Sequence, residues 1–191
     1  MPATKVQWPN PLVRQPALYG TQMGVPGTGD DRGLRMHSTG EVFYVDPNFP
    51  GVSDQRDGTS PTSPLQTVGE ALTKCEDYRG DVIAVMHNGL WTYGNPASDN
   101  ILPIAEAVTV DVPGVRIVGV APSASLGVPW MPTANNDVCI TVAALDVLIE
   151  GFAFWTDAYT GTTGISVAWN SPPWGENTTV RHCYFYDLDY G

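Results

Sequence analysis

The sequence predicts an all-β protein: a right-handed parallel β-helix with an N-terminal capping α-helix, preceded by an extended N-terminal arm. The composition is rich in turn formers, with 20 Gly and 17 Pro among 191 residues, which favours short strands over long helices. Short β-rich runs alternate with turns, and these runs recur at a spacing of about 32 residues, which is typical of a stacked-repeat fold.

Residues 1–40 differ from the rest of the chain. They are rich in proline and glycine and have neither the strand nor the helix period of apolar residues, so they cannot bury enough apolar surface to order themselves. We interpret them as an extended docking arm that orders on a neighbouring protein; a plain flexible leader is the alternative. The candidate anchors in the arm are Trp8, Leu12, Val13, Leu18 and Tyr19.

Residues 41–191 form the predicted β-helix domain. Val42-Phe-Tyr-Val45 is a short β-rich run, and a polar loop follows it. A capping helix is expected at about residues 65–78, because Thr67 and Glu70 form an S/T-x-x-E capping box and Gly80 can end the helix. Its predicted apolar face contains Leu65, Val68, Ala71, Leu72 and Cys75. The stacked repeats are expected to start at about residue 81.

Two pairs of segments define the repeat. Val108-Thr-Val110 recurs as Ile140-Thr-Val142, and the segment starting at Val115 recurs from Val147; both spacings are 32 residues, from 140 − 108 and 147 − 115. A looser third copy follows, and two short strands joined by a turn are expected in each copy. The predicted inward columns are Val110 with Val142 and Val167, and Ile117 with Ile149 and Val180. A β-sandwich is the runner-up fold, but it would not repeat column by column.

The charge and the cysteines exclude several classes of protein. The formal net charge of −11 would repel nucleic acid and anionic lipid, so neither is an expected partner. No stretch approaches the roughly 20 apolar residues of a membrane span, and the N-terminus lacks the apolar core of a signal peptide. Cys75, Cys139 and Cys183 are too few and too scattered for a disulfide framework or a zinc site, so we expect free, buried thiols.

Several segments together resemble the start of a pectate-lyase-like parallel β-helix. They are Phe43-Tyr-Val-Asp46, the loop from Ser53 to Pro61, Pro64-Leu-Gln-Thr67 with its helix, Gly80-Asp-Val-Ile83, and the segments at Ile140 and Val147. The resemblance covers about 150 residues and implies a short helix that caps the first repeat. It specifies activity poorly, because this architecture serves lyases, hydrolases, phage tailspikes and non-enzymatic virion proteins.

No catalytic set is evident in the sequence, so catalytic activity is uncertain, and the sequence favours a protein that is not an enzyme. A glycosidase needs two carboxylates within about 5–10 Å, and a lyase needs a base beside a cation. The predicted outward positions are Arg116, Val118, Leu148, Glu150, Arg181 and His182, which contain no carboxylate pair. We expect Glu150 and Arg181 to form a surface salt bridge between neighbouring repeats; a catalytic Glu150 tuned by Arg181 is the alternative.

No cofactor or metal is predicted. Asp46, Asp54 and Asp57 are close enough in sequence to suggest a calcium loop. Their neighbours, however, are ordinary turn residues, and the spacing does not fit an EF-hand loop. Turn formation is therefore the preferred interpretation of these carboxylates.

Aromatic residues in or beside the predicted long loops are the candidate contact surface. They could anchor the loops, pack against another protein, or stack on sugar rings. These residues are Trp130, Trp155, Tyr159, Trp169 and Trp174.

Two functional hypotheses follow. The first is a bacteriophage virion structural protein (a tailspike, fibre or capsid-attached protein) that is assembled in the host cytoplasm and anchored to other virion proteins by residues 1–40. The second is a polysaccharide lyase or glycoside hydrolase whose active groove lies in repeats beyond this chain. We also expect the last repeat to be covered by further repeats or by a second chain, with a homotrimer favoured and a host surface glycan as a further partner.

Overall fold

A computed structural model describes residues 40–87, 103–121, 126–155, 159–168 and 175–186. This part of the chain is mostly β, with parallel strand pairing and one short helix. In chain order the elements are β1 (Val42–Val45), α1 (Val68–Lys74), β2 (Val82–Met86), β3 (Ile104–Ala105), β4 (Val108–Val110), β5 (Arg116–Val120), β6 (Val128–Met131), β7 (Val138–Val142), β8 (Leu148–Glu150), β9 (Phe152–Trp155), β10 (Thr163–Val167), β11 (Thr179–Arg181) and β12 (Tyr184–Tyr186).

The strands form three parallel sheets. The five-stranded sheet has the order β1-β2-β5-β8-β11, the four-stranded sheet β3-β6-β9-β12, and the three-stranded sheet β4-β7-β10. From β4 onward the chain visits the three-stranded, five-stranded and four-stranded sheets in turn, and then repeats that order. The predicted all-β parallel architecture is confirmed at this level.

Each repeat contributes three strands, whereas the sequence predicted two. The missed strands belong to the four-stranded sheet, and β6 lies where a long loop was expected, around Pro129. A proline normally disfavours a central strand because it lacks an N–H. Here β3 begins at Ile104, which pairs with Trp130, so no residue of β3 lies opposite Pro129.

The predicted inward columns are confirmed by the strand register. Val110 pairs with Val142, which pairs with Val167; in the five-stranded sheet Ile117 pairs with Ile149, which pairs with Val180. Successive strands of that sheet are offset by 34, 32 and 31 residues, from Val82 to Arg116, Leu148 and Thr179. The core between the sheets also contains Trp130, Phe152 and Phe154, whose side chains are fully buried.

A residue with a left-handed backbone precedes each of four successive strands of the five-stranded sheet by two positions. These residues are Gly80 (φ 77°), Gly114 (φ 78°), Asp146 (φ 58°) and Asn177 (φ 57°). Glycine, aspartate and asparagine tolerate this conformation best. In addition, the Asn177 side-chain amide donates to Asp146 Oδ1 at 3.1 Å, so the turns of two repeats are linked directly.

The helix α1 is shorter than predicted: it begins at Val68 and ends at Lys74, with Cys75 already extended at φ −77° and ψ 152°. Only half of the capping box forms, because Glu70 N donates to Thr67 Oγ1 at 3.1 Å while the Glu70 carboxylate pairs with Lys74 at 3.3 Å. The buried face of the helix packs against the main core.

A buried carboxylate explains why the chain leaves the helix early. Asp81 accepts hydrogen bonds from Glu76 N at 2.8 Å, Glu41 N at 2.8 Å and Arg79 Nε at 2.6 Å. These bonds join the end of α1, the start of β1 and the start of β2 at one side chain. A helix that continued to Gly80 would remove Glu76 N from this carboxylate.

The outer face of the five-stranded sheet is more buried than the sequence implied. Val118 was predicted as an outward position, and it is only 1% exposed. It packs with Val82, Val42 and Leu148 in a small second cluster outside the main core. Its orientation was therefore predicted correctly, and its burial was not predicted.

Candidate functional site

The candidate site is the corner where the outer faces of the five-stranded and four-stranded sheets meet at their last strands. We call it the corner surface and define it by Glu150, Arg181 and His182 on one side and Trp155, Tyr184 and Tyr186 on the other. The first three residues lie in or directly after β8 and β11, and the other three lie in β9 and β12.

Glu150 lies at the centre of the polar half. Its Oε2 accepts a hydrogen bond from Arg181 Nη2 at 2.7 Å, and its Oε1 lies 2.8 Å from His182 Nδ1. The side chain of Glu150 is 5% exposed, whereas those of Arg181 and His182 are 44% and 61% exposed. The predicted Glu150–Arg181 pair is thus present, but its carboxylate is buried rather than on the surface.

His182 is a third member of this cluster that the sequence analysis missed. It has a left-handed backbone at φ 51° and occupies the position that Gly151, at φ 82°, holds one repeat earlier. This bend turns the imidazole back toward Glu150. The 31-residue offset between Gly151 and His182 was the available signal, but a histidine at a glycine position gives no warning of its backbone conformation.

The aromatic half lies on the outer face of the four-stranded sheet. Tyr186 pairs with Trp155 and Tyr184 pairs with Ala153, and the two tyrosine rings stack with centroids 6.3 Å apart. Trp155 and Ala153 are buried, and the tyrosines are partly buried against them. Tyr184 and Tyr186 were not predicted as contact residues, although the alternation of Tyr184-Phe-Tyr186 is a strand signal.

The structure places the predicted aromatic residues in different surroundings. Trp130 was expected in or beside a surface loop, but it is fully buried in the core, where its indole N–H donates to Glu106 O at 2.7 Å. It is therefore not part of a contact surface. Trp155 lies on the corner surface, and Tyr159 is partly buried. Trp169, Trp174 and the arm anchors Trp8, Leu12, Val13, Leu18 and Tyr19 lie outside the described residues.

No family model matches this chain, and neither a curated protein nor a solved structure matches it. The assignment of a function therefore depends on the geometry alone. No helix in the described part of the chain is long and apolar enough to cross a membrane.

The acidic loop residues act on the backbone. Asp46 Oδ1 accepts from Asn48 N at 3.0 Å and Asp57 Oδ1 from Thr59 N at 3.2 Å, as in turns. Asp54 instead holds Thr67, the N-cap residue of α1, in place, because it accepts from Gln66 N, Thr67 N and Thr67 Oγ1 at 2.8–2.9 Å. Within the described ranges, no group of three or more His, Cys, Asp or Glu side chains could hold a metal ion.

A groove of about 480 Å³ lies between α1 and β4. Glu106 lines it and accepts from Val68 N at 3.0 Å and Gly69 N at 2.7 Å. Burial raises the pKa of the Glu106 carboxyl despite these two hydrogen bonds, and the nearby Asp54 charge adds to the rise. Burial also raises the pKa of the Cys75 thiol, which lines the same groove, to about 12, so the thiol stays protonated at neutral pH and is a poor nucleophile.

Proposed function

We propose that this protein is a bacteriophage virion structural protein (a tailspike, fibre or capsid-attached protein) whose three parallel sheets are the faces of a right-handed parallel β-helix. In this proposal residues 1–40 anchor it to other virion proteins. The β-helix is supported by the order in which the chain visits the three sheets, which repeats from β4 to β12. The right hand is supported by the rule that crossovers between parallel strands of one sheet are right-handed in about 98% of known cases.

The observation that carries the proposal is the difference between the two ends of the core. At one end α1 covers the core with Val68, Ala71 and Leu72. At the other end the inward columns finish in exposed apolar side chains: Val167 is 44%, Val180 is 39% and Phe185 is 49% exposed.

The exposed end comprises one side chain from the last strand of each sheet. Each of these side chains pairs with a fully buried residue one repeat earlier: Val167 with Val142, Val180 with Ile149, and Phe185 with Phe154. Exposed apolar residues grouped in this way favour association. A protein that works within an assembly, with this end covered by a second chain, fits this pattern best, and a homotrimer is the favoured state.

The corner surface supplies a second region for partners. Stacked tyrosines beside a cationic guanidinium and an imidazole suit either another subunit or a host surface glycan. A lyase or glycoside hydrolase has less support here, since the register neighbours of Glu150 are Val118 and Arg181, and a glycosidase needs a second carboxylate nearby.

The proposal is tested on purified virus particles. Mass spectrometry of particles should detect the chain in a fixed ratio to the other virion proteins, and deletion of residues 1–40 should remove it from them. The deletion should leave the thermal midpoint of the remaining domain nearly unchanged. Full-length chain that is absent from particles, or a deletion variant that stays attached to them, would contradict the proposal.

A further inference from the structure

We propose that residues 3–8 of one copy bind as an added strand to the free edge of β4 in a second copy, within the groove between α1 and β4. The proposal deepens the proposed function, because it gives the N-terminal arm a partner within the assembly. It depends on the geometry of the groove, its charge, and the composition of the arm.

The first observation is an edge strand beside the groove. Among the described strands, β4 is the last member of the order β10-β7-β4. Val108 and Val110 pair with β7, and Ala143 N donates to Val110 O at 2.8 Å. Because successive residues of a strand point their backbone groups to opposite edges, the N–H and C=O of Thr109 point away from β7.

The second observation is that α1, rather than another described strand, lies beside the edge of β4. The repeat before β4 contributes β2 to the five-stranded sheet and β3 to the four-stranded sheet. In the three-stranded sheet it contributes no described strand, because the described chain passes from α1 directly to β2. The helix contacts β4 but leaves the groove between them. The groove offers apolar contacts from Leu72, Val108 and Val112, and Thr109 on its β4 side is exposed.

The third observation is charge complementarity. The groove is lined by two carboxylates, the half-buried Glu106 and the exposed Asp111. Residues 1–29 contain Lys5 and Arg14 and no Asp or Glu, although the whole chain has a net charge of −11. The arm is therefore the basic part of an acidic protein, and the groove is an acidic, partly apolar surface that suits it.

Within the arm, Ala3–Trp8 has the composition of a strand. It lies between Pro2 and Pro9 and has neither proline nor glycine, so all its backbone N–H groups can donate. Thr4, Val6 and Trp8 would share one face, a β-branched and aromatic set that can fill the groove. Lys5 would lie on the other face, within reach of Asp111 at the rim.

The length of the arm allows it to reach a second copy. Gly40, the first described residue, packs directly against Asp81, whose carboxylate binds Glu76 N, and the adjacent Cys75 lines the groove. The 31 residues from 9 to 39 can span roughly 90 Å when extended, which is far enough for residues 3–8 to reach the groove of a neighbouring molecule.

The test is a directed crosslink between two full-length variants. One chain carries Gln7→Cys, on the face that Lys5 shares, and a differently tagged chain carries Thr109→Cys, on the face that Asp111 shares; they are mixed, oxidised mildly and separated without reductant. We expect a covalent heterodimer with both tags, in at least tenfold excess over a control in which Thr59→Cys, in an exposed loop, replaces Thr109→Cys. The native thiols of Cys75 and Cys139 have pKa values of about 12 and should contribute little.

Two outcomes would overturn the inference. If the single variants fail to crosslink, but a chain carrying both substitutions crosslinks internally, the arm binds its own groove. If neither crosslinks, the arm binds elsewhere. A charge swap gives an independent check: Asp111→Lys should weaken association measured by light scattering about tenfold, and Lys5→Asp in the same chain should restore it. Particle association that persists in the absence of any crosslink would contradict this inference and leave the proposed function intact.

Discussion

At the residue scale, backbone conformation limits what each turn of a repeat can accept. Gly151 has φ +82°, and a Cβ there would lie 2.7 Å from Gly119 O. Gly51 has a similar φ of +67°, but its Cβ would meet only Arg56 Nη2, at 3.8 Å. The two glycines therefore share a backbone requirement and differ in whether the neighbouring repeat approaches closely.

This difference gives a first prediction. Gly51→Ala should lower the free energy of unfolding by about 1 kcal/mol, the usual cost of a left-handed alanine. Gly151→Ala should cost at least about 2 kcal/mol, because two backbones must also move apart. Urea denaturation of both variants measures the difference; equal costs would mean that the contact with Gly119 is easily relieved.

The second prediction concerns Glu150, whose two oxygens contact Arg181 and His182. Glu150→Gln keeps the shape of the side chain and removes its charge, so it should lower the free energy of unfolding by about 1–2 kcal/mol, less than for a fully enclosed pair because both partners are partly solvated. Glu176→Gln, at an exposed position, should change it by under about 0.5 kcal/mol. Equal effects in chemical denaturation would show that the cluster adds nothing to stability.

At the element scale, α1 depends on side chains from distant parts of the chain. Asp54 accepts three hydrogen bonds at its N-terminus, whereas the Glu70 side chain contributes a partly exposed pair with Lys74. Asp54→Ala should therefore lower the free energy of unfolding by about 1–2 kcal/mol. Glu70→Ala should cost under about 0.5 kcal/mol. If thermal unfolding shows a larger loss of stability for Glu70→Ala, the complete capping box forms in solution.

The carboxylate that joins α1, β1 and β2 predicts a pH dependence. Burial of Asp81 opposes its ionisation, but hydrogen bonds from Arg79, Glu76 N and Glu41 N outweigh burial and hold the pKa of its carboxyl below its ordinary value. Because the folded-state pKa is lowered, the stabilisation is fully present above the unfolded-state pKa of about 3.9 and is lost as the pH falls through the folded-state pKa.

We therefore expect the free energy of unfolding to decrease as the pH drops below about 4. We expect Asp81→Asn to be less stable than the native protein at pH 7, and its stability to depend less on pH in the acid range. Asp57→Asn is the matched control, because that carboxylate is exposed and accepts one bond from Thr59 N. Unfolding followed at several pH values measures both. The assignment fails if Asp81→Asn keeps the full acid dependence of the native protein.

At the scale of the whole molecule, the exposed end of the core predicts association. Val167→Thr and Val180→Thr together keep the β-branched shape but add hydroxyls at side chains that are 44% and 39% exposed. In a free chain this pair should cost under about 1 kcal/mol, while the dissociation constant of any assembly that covers this end should rise at least about tenfold, since an unpaired buried hydroxyl costs about 1–3 kcal/mol.

Val142→Thr is the matched control for that experiment. Val142 lies one repeat earlier in the same column as Val167 and is fully buried. The Val142→Thr substitution makes the same chemical change at a buried position, so it should destabilise the free chain by about 1–3 kcal/mol. Sedimentation and denaturation of the variants separate the two effects, and association unchanged by Val167→Thr and Val180→Thr would show that this end stays open to water.

The sequence by itself determined the parallel repeat and its register. Strand side chains alternate with a period of two, and like residues recur every 31–32 positions, so Val110 and Ile117 already indicate their partners in the next repeats. The Glu150–Arg181 pair follows from the same register. Spacing along the chain contains this information because each repeat stacks directly on its neighbour.

Only the tertiary structure decided which of these positions are buried and where the elements end. Pro129 made β6 difficult to predict, because a strand accepts this proline only where no residue of β3 lies opposite it. Trp130 is in the core because it belongs to β6. Val118 and Glu150 face outward yet are buried, and α1 ends early because Asp81 binds Glu76 N. Each of these outcomes depends on groups that are distant in sequence, so no local pattern contains it.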